Sequence, residues 1–293
     1  MKEALNQKSF YWFLFFWILV WFLITLGGIF HNTGSSLACP DWPTFHGTFF
    51  PKMEGEVAIE HGHRLLGTVV GCYAIVLCFV FWKKQNAFLK WGTILALALV
   101  IFQGLLGGLT VLWELPPWVS TTHLATAMAF LGLIVFLMWK SYHGARESLA
   151  KFKFKPLALL TLLALYGQMI LGAYMRHKGA GLACTEVPFC QGGIWPKGAD
   201  FLLHLHLLHR WFAFGVLLLL ITFLIRLWSK ASIKQKALAI VLIFLVSLQI
   251  LLGFLSVYTA LEIIPVTAHL ALGALIWSSF LWLYLSLSYG KNS

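Results

Sequence analysis

Charge is what this sequence has least of: only 11% of its 293 residues are Asp, Glu, Lys or Arg. A soluble domain carries roughly a quarter. Set against 60% hydrophobic residues, that shortage excludes an ordinary water-soluble fold and places the chain in the membrane class. Acidic residues are scarcer than basic ones, 10 against 21, which gives a net charge of +11. No basic domain accompanies the excess, so nucleic acid is not an expected partner. The positive residues sit in short loops between apolar runs and read as topology signals. Cysteine is sparse at five residues. Cys72 and Cys78 lie inside an apolar run and read as small hydrophobes, whereas Cys39, Cys184 and Cys190 lie in polar loops. The first apolar run, Phe10 to Phe30, is too long for a signal-peptide core, and no Ala-x-Ala-like site follows it. It is expected to be a retained span.

Long apolar runs are what the chain has in quantity. Eight can be drawn, at 10–30, 62–82, 91–112, 118–139, 156–176, 203–227, 236–258 and 264–287. Each is near the roughly 20 residues that a bilayer-crossing helix needs. Backbone polar groups in lipid must be satisfied within a segment, so these are expected to be helices. The 14 tryptophans and 25 phenylalanines suit aromatic belts at the two membrane faces. Fifteen of the 21 basic residues fall in loops on one side, among them Lys83, Lys84, Lys90, Lys140, Arg146, Lys151, Lys153, Lys230, Lys234 and Lys291. The positive-inside rule then predicts a multi-pass protein of the cell (inner) membrane, with both termini cytoplasmic. The two long loops, about 31–60 and 177–202, face outward.

The two halves can be laid over each other. Ser36-Leu37-Ala38-Cys39 matches Gly181-Leu182-Ala183-Cys184 at an offset of 145 residues, and Pro43 and Pro51 match Pro188 and Pro196. After a single-residue gain, His63-Arg64 matches His209-Arg210, Gln103 matches Gln249, Gly107 matches Gly253 and His123 matches His269. The expected fold is therefore an all-α membrane protein, with eight transmembrane helices forming two parallel-repeat four-helix bundles. The halves divide at 1–147 and 148–293.

Four histidines recur with the repeat: His63, His123, His209 and His269. Each falls near the outer end of an even-numbered span. Two helices per half thus bring one imidazole each to a similar depth, which suits axial ligation of a haem iron from opposite faces. Ionisable residues within spans are costly and are functional by default. Neither carboxylate clusters nor further nitrogen ligands at a suitable spacing accompany the pairs, which disfavours a non-haem metal. The other histidines recur poorly. His61 is matched by Leu207 and His204 by Ala58, while His31, His46, His143 and His177 lie in loops or at helix ends. These read as solvated or interfacial.

The halves also differ. Glu60 stands three residues before His63, on the same helical face, and His206 takes that place in the second half. A carboxylate beside a haem-binding histidine suits a general base or the stabilisation of developing positive charge; capping the helix start is the plainer alternative. Arg64 and Arg210 follow the histidines directly and are candidates for pairing with haem propionates or for snorkelling at the interface. Cys184 and Cys190 share a loop on the oxidising side, so a disulfide is expected, either a staple or a redox-active bond. Cys39 has no such partner, because Phe45 stands where Cys190 does.

Taken together, Glu60-His61-Gly62-His63-Arg64, Thr121-Thr122-His123, His209-Arg210, Thr267-Ala268-His269 and the Leu-Ala-Cys loops resemble the haem A synthase family along essentially the whole chain. The resemblance implies an eight-helix duplicated bundle that oxidises the C8 methyl of haem O to a formyl group, with water as oxygen source. It implies that His63 and His123 frame the substrate haem, that His209 and His269 ligate a resident haem b, and that Glu60 is the essential carboxylate. Some members carry a cysteine pair in each long loop; this chain departs from them at Cys39. Implied partners are haem O, membrane lipid, an electron acceptor, an enzyme that forms haem O, and a second copy of the chain. Two rivals come from other classes. A di-haem b-type cytochrome that only passes electrons would also need four histidines, but would stack its haems toward opposite faces and leave Glu60 idle. A parallel-repeat transporter would break its helices near the midplane, and no matched Gly/Pro interruption is present.

Overall fold

The computed structural model describes residues 2–82, 86–143, 155–229 and 231–288. They form eight long helices: α1 (Lys2–Asn32), α2 (Gly55–Trp82), α3 (Ala87–Leu112), α4 (Pro117–His143), α5 (Lys155–His177), α6 (Phe201–Trp228), α7 (Ile233–Tyr258) and α8 (Ile263–Ser288). All eight are long and apolar enough to cross a membrane. Several starts carry a local stop for their orphan N–H groups. The Asn86 side chain accepts from Leu89 N–H at 3.2 Å, Asp200 accepts from Leu203 N–H at 2.8 Å, and Ser232 and Gln235 form a reciprocal capping box on α7. Proline opens α4, where its missing N–H costs nothing.

The observed helices follow the apolar runs to within a few residues except at the starts of α1 and α2. Helix α1 begins at Lys2, eight residues before the run at 10, and α2 begins at Gly55, seven residues before the run at 62. The first three turns of α2 carry Glu56, Glu60, His61 and His63, which depress hydropathy without disfavouring a helix. Of the basic residues used to orient the chain, Lys83, Lys84, Arg146, Lys151, Lys153, Lys230 and Lys291 lie outside the described residues, as does the expected division after residue 147.

The chain forms two compact units, Met1–Lys151 with Leu285–Ser293, and Phe152–Tyr284. In the first, α1 packs on α2 and α4, and α3 packs on α2 and α4, closing a four-helix ring. Its core is aromatic: Phe13 meets Phe81 at 5.0 Å between centroids, and Phe16 meets Phe130 edge-on at 5.7 Å. The ring of α4 helix neighbours reaches close because its residues are small; Ser120, Thr121, Ala125, Ala127 and Gly132 lie along it, and small residues are what brings helices together in lipid. In the second unit α6 packs on α5 and α7. Helix α8 joins them through Tyr166–Trp277, Phe223–Phe280 and a hydrogen bond from His269 to α7. Large apolar side chains such as Phe79, Ile225 and Phe244 point outward and are exposed, as a lipid-facing surface requires.

Each unit has one long loop, and the two loops share their local turns. Gly34 and Gly179 cap short 3-10 turns in the left-handed conformation, which glycine adopts at no steric cost. A tight turn closed by Phe45 and Thr48 in the first loop recurs as Cys190 and Gly193 in the second. Cis prolines Pro43 and Pro188 also correspond.

Candidate functional site

Each unit brings two histidines from two helices into one region. In the first unit, α2 carries His63 and α4 carries His123, near enough to interact electrostatically. In the second, α6 carries His209 and α8 carries His269, likewise in electrostatic reach. All four residues are half-buried.

Glycines seat the other side of every ring. A methyl group built at Gly27 on α1 would stand 3.1 Å from His63 Cε1, and at Gly107 on α3 3.4 Å from His123 Cε1. At Gly172 on α5 it would stand 2.7 Å from His209 Cε1, and at Gly253 on α7 3.2 Å from His269 Cε1. The even-numbered helices supply imidazoles and the odd-numbered ones supply the hollows that receive them. Polar contacts then fix most of the rings. The Gln168 amide nitrogen lies 3.1 Å from His209 Nδ1 and donates to the His209 carbonyl at 3.0 Å. His269 Nδ1 donates to the Gln249 carbonyl at 3.0 Å. The Gln103 amide meets His123 Nδ1 at 2.9 Å. His63 differs. Phe30 stacks on it at 5.4 Å and 5°, and its Nδ1 is buried with no hydrogen-bond partner among the described residues.

Glu60 is fully buried. One carboxylate oxygen accepts from Cys39 N–H at 3.0 Å, and the other is paired with the Arg64 guanidinium. It lies in the second turn of α2 and reaches into the first loop rather than capping the helix start. Arg64 also donates to the Asp41 and Thr44 carbonyls at 3.0 and 2.9 Å, and lies over the Phe45 ring. In the second unit, Arg210 donates to the Cys184 and Glu186 carbonyls, both at 2.6 Å, and contacts Cys184 Sγ at 3.2 Å. Each arginine thus clamps the loop that precedes its own helix. His206, where the first unit has Glu60, is buried and donates from Nδ1 to the Ala180 carbonyl at 2.8 Å. Cys184 and Cys190 are joined in a disulfide, with Cα atoms 5.8 Å apart.

Of the residues read as bystanders, His204 stacks on Trp195 and meets the Pro196 carbonyl at 3.0 Å. His61 sets its ring edge-on to Phe45.

The donor set fits haem. Paired half-buried imidazoles, backed by hollows that no other residue type leaves open, suit axial ligation. Among the described residues, buried polar atoms stand without partners beside both pairs: His63 Nδ1 in the first unit, Gln168 Oε1 and Gln249 Oε1 in the second.

Comparison with known proteins agrees. Residues 52–281 match the family described as cytochrome oxidase assembly protein. A haem A synthase of Alkalihalophilus pseudofirmus is 30% identical over 71% of this chain and 72% of its own length. The chain belongs to the haem A synthase family. A haem A synthase of Bacillus pumilus is 29% identical over 85% of the chain and 86% of its own length, and one of Macrococcus caseolyticus is 24% identical over 98% and 100%. As a member of this family with eight spans, the chain is a multi-pass membrane protein.

Residue types alone had not assigned a role to the four glycines or to Gln168. The glycines left a signal, because Gly27 and Gly172 correspond at the loop offset and Gly107 and Gly253 at the helix offset. Gln168 left none: Leu23 stands at its place in the first half.

Proposed function

We propose that this protein is a haem A synthase that oxidises the C8 methyl group of haem O to a formyl group. The observation that carries the reading is the inequality of two otherwise matched sites. Both units present paired histidines, but only the first has a buried carboxylate, Glu60, one helical turn from a histidine. Reaction belongs where the carboxylate is, and a resident cofactor where it is not. His63 and His123 would hold the substrate haem, and His209 and His269 would hold haem b. When bound, haem b supplies one-electron transfer chemistry.

The overall change is CH3 + H2O → CHO + 4 H+ + 4 e−, with the electrons leaving to a separate acceptor. Water provides the oxygen in two rounds, and the geminal diol of the substrate side chain loses water to the aldehyde. Glu60 orients that water or accepts its proton. The Cys39 N–H and Arg64 hold the carboxylate in place for this task, and N–H groups of Arg64 and Arg210 beyond those on the loops would pair with haem propionates. Both termini are cytoplasmic and the two long loops lie on the outer side of the cell membrane, following the positive-inside rule.

Haem extraction and chromatography test this, on protein purified after co-expression with a source of haem O. Haem b together with haem A or its hydroxymethyl precursor is the expected result. Haem b alone would refute methyl oxidation and leave an electron-passing cytochrome, and a protein without haem would refute the histidine assignment. The Glu60→Gln protein is expected to keep both haem sites and stall at haem O or the hydroxymethyl stage. A wild-type yield of haem A from it would remove Glu60 from the reaction.

A further inference from the structure

The first loop contains a second cluster of ligating side chains that the haem chemistry does not use. Cys39, Asp41 and His46 each offer one atom, and the three atoms lie within 4.8 Å of one another. We propose that these residues form a metal site for zinc or a cation of similar borderline softness, with the fourth coordination position open to water.

The donor set carries the choice of metal. A thiolate, an imidazole and a carboxylate together suit zinc, with three protein ligands leaving one position for solvent. Purely hard cations have no use for the sulfur. Ligand atoms around a bound zinc stand about 3.5 Å apart, so the shell must contract. Asp41 and His46 can supply that movement, being half-buried and exposed, whereas Cys39 is fully buried and fixed.

The surrounding hydrogen bonds already orient the ligands. His46 Nε2 meets the Ala38 carbonyl at 3.2 Å. Donation there leaves Nδ1 as the free ligand atom, the arrangement that usually sets a metal-bound imidazole. His46 N–H donates to Cys39 Sγ at 3.2 Å, which holds the sulfur toward the turn that carries the imidazole. Gly47 N–H donates to Asp41 Oδ2 at 3.1 Å and leaves Oδ1 open. The nearest fixed cation, Arg64, is paired with Glu60, so its charge is already matched.

The second loop supplies the contrast. At the same offset, Cys184, Glu186 and Gln191 replace Cys39, Asp41 and His46. There Cys184 is closed by its disulfide to Cys190. The histidine stands in the loop whose cysteine has lost its disulfide partner. A metal would therefore do for the first loop what the disulfide does for the second: tie the residue-39 strand to the turn at residue 46. Cys39 N–H also holds Glu60, so that tie bears on the placement of the carboxylate. The proposal stands whether or not the chain oxidises haem O.

The test uses the full-length, haem-loaded protein in detergent, equilibrated with zinc alone and freed of excess metal. Zinc is counted per chain by elemental mass spectrometry. The expected result is one zinc per chain, bound at least tenfold more weakly by His46→Gln, which installs the second loop's residue, and by Cys39→Ser. His204→Gln is expected to bind as the wild type does. Unchanged haem content in each variant shows that the fold persists; should His46→Gln lose haem, Asp41→Asn carries the comparison. No zinc in the wild type, or equal zinc in the wild type and the ligand variants, would overturn the proposal.

Discussion

Replacing Gly172 by alanine sets two effects of opposite sign against each other. In a helix interior alanine is favoured over glycine by about 1 kcal/mol, so a view that ignores the site expects Gly172→Ala to be harmless or stabilising. The site geometry says otherwise. The new methyl would stand 2.7 Å from His209 Cε1, 3.3 Å from Nδ1 and 3.5 Å from Nε2. Ordinary carbon contacts begin near 3.5 Å, so the ring or the helix must move by roughly an ångström. The ring has little room to move, because Gln168, one turn earlier on the same α5 helix, meets its Nδ1 and its carbonyl. Overpacking of this kind costs about 1–3 kcal/mol, or roughly 5- to 150-fold in the affinity of the site for haem. The same substitution at the other seats grades the effect. Gly253→Ala and Gly27→Ala meet their histidines at 3.2 and 3.1 Å and should cost less, and Gly107→Ala at 3.4 Å should be nearly silent. The assay is haem titration of the haem-depleted protein in detergent, following the low-spin bis-histidine absorption and the haem retained per chain. Gly172→Ala that binds haem as tightly as the wild type would refute the reasoning. So would Gly107→Ala losing as much as Gly172→Ala.

Two further outcomes follow from the loop clamps. Arg64→Ala leaves the Glu60 carboxylate buried and unpaired, at about 3 kcal/mol, while Arg210→Ala strips donors from uncharged acceptors, two carbonyls and the disulfide sulfur of Cys184. The first should lower the denaturation midpoint more than the second, and Glu60→Gln should recover part of the loss in the double variant; equal losses would show that Glu60 is not charged in the folded protein. Removing the disulfide by a Cys184→Ser, Cys190→Ser pair opens a short loop and should cost about 2–3 kcal/mol. If the bond is a staple, haem A yield at permissive temperature stays unchanged, whereas a yield that collapses without loss of stability would make the bond part of the electron path.

Much of the fold could be read from the sequence because a membrane span is a statement about length and apolarity, and both are local. The start of α2 shows where that signal ends. Its first turns are polar because they face the loop above them, and hydropathy cannot distinguish a polar helix from a loop. The paired histidines could be read because duplication prints each requirement twice. The arginines could not be placed in the same way. A guanidinium suits a propionate, a carboxylate or a backbone carbonyl equally well, and only the folded loop shows that Arg64 reaches Asp41 and Thr44 across about twenty residues. Gln168 was invisible for the converse reason: it serves one half only.

That one-sidedness bears on how the two units divide their work. His209 and His269 are each seated on a glycine and held by a polar contact from a neighbouring helix. A ligand pair oriented in that way is pre-organised and suits a group that stays. In the first unit His123 is held similarly by Gln103, but His63 has only the flat face of Phe30 and the hollow at Gly27. A ligand with no polar restraint turns at small cost, which is what a substrate that must enter, react and leave asks of its axial histidine. The carboxylate lies one turn from that looser ligand and is itself held at both oxygens. On the proposed division of labour, the freedom falls to the histidine that would release the haem, and the rigidity to the carboxylate that would stay aligned with the reacting carbon.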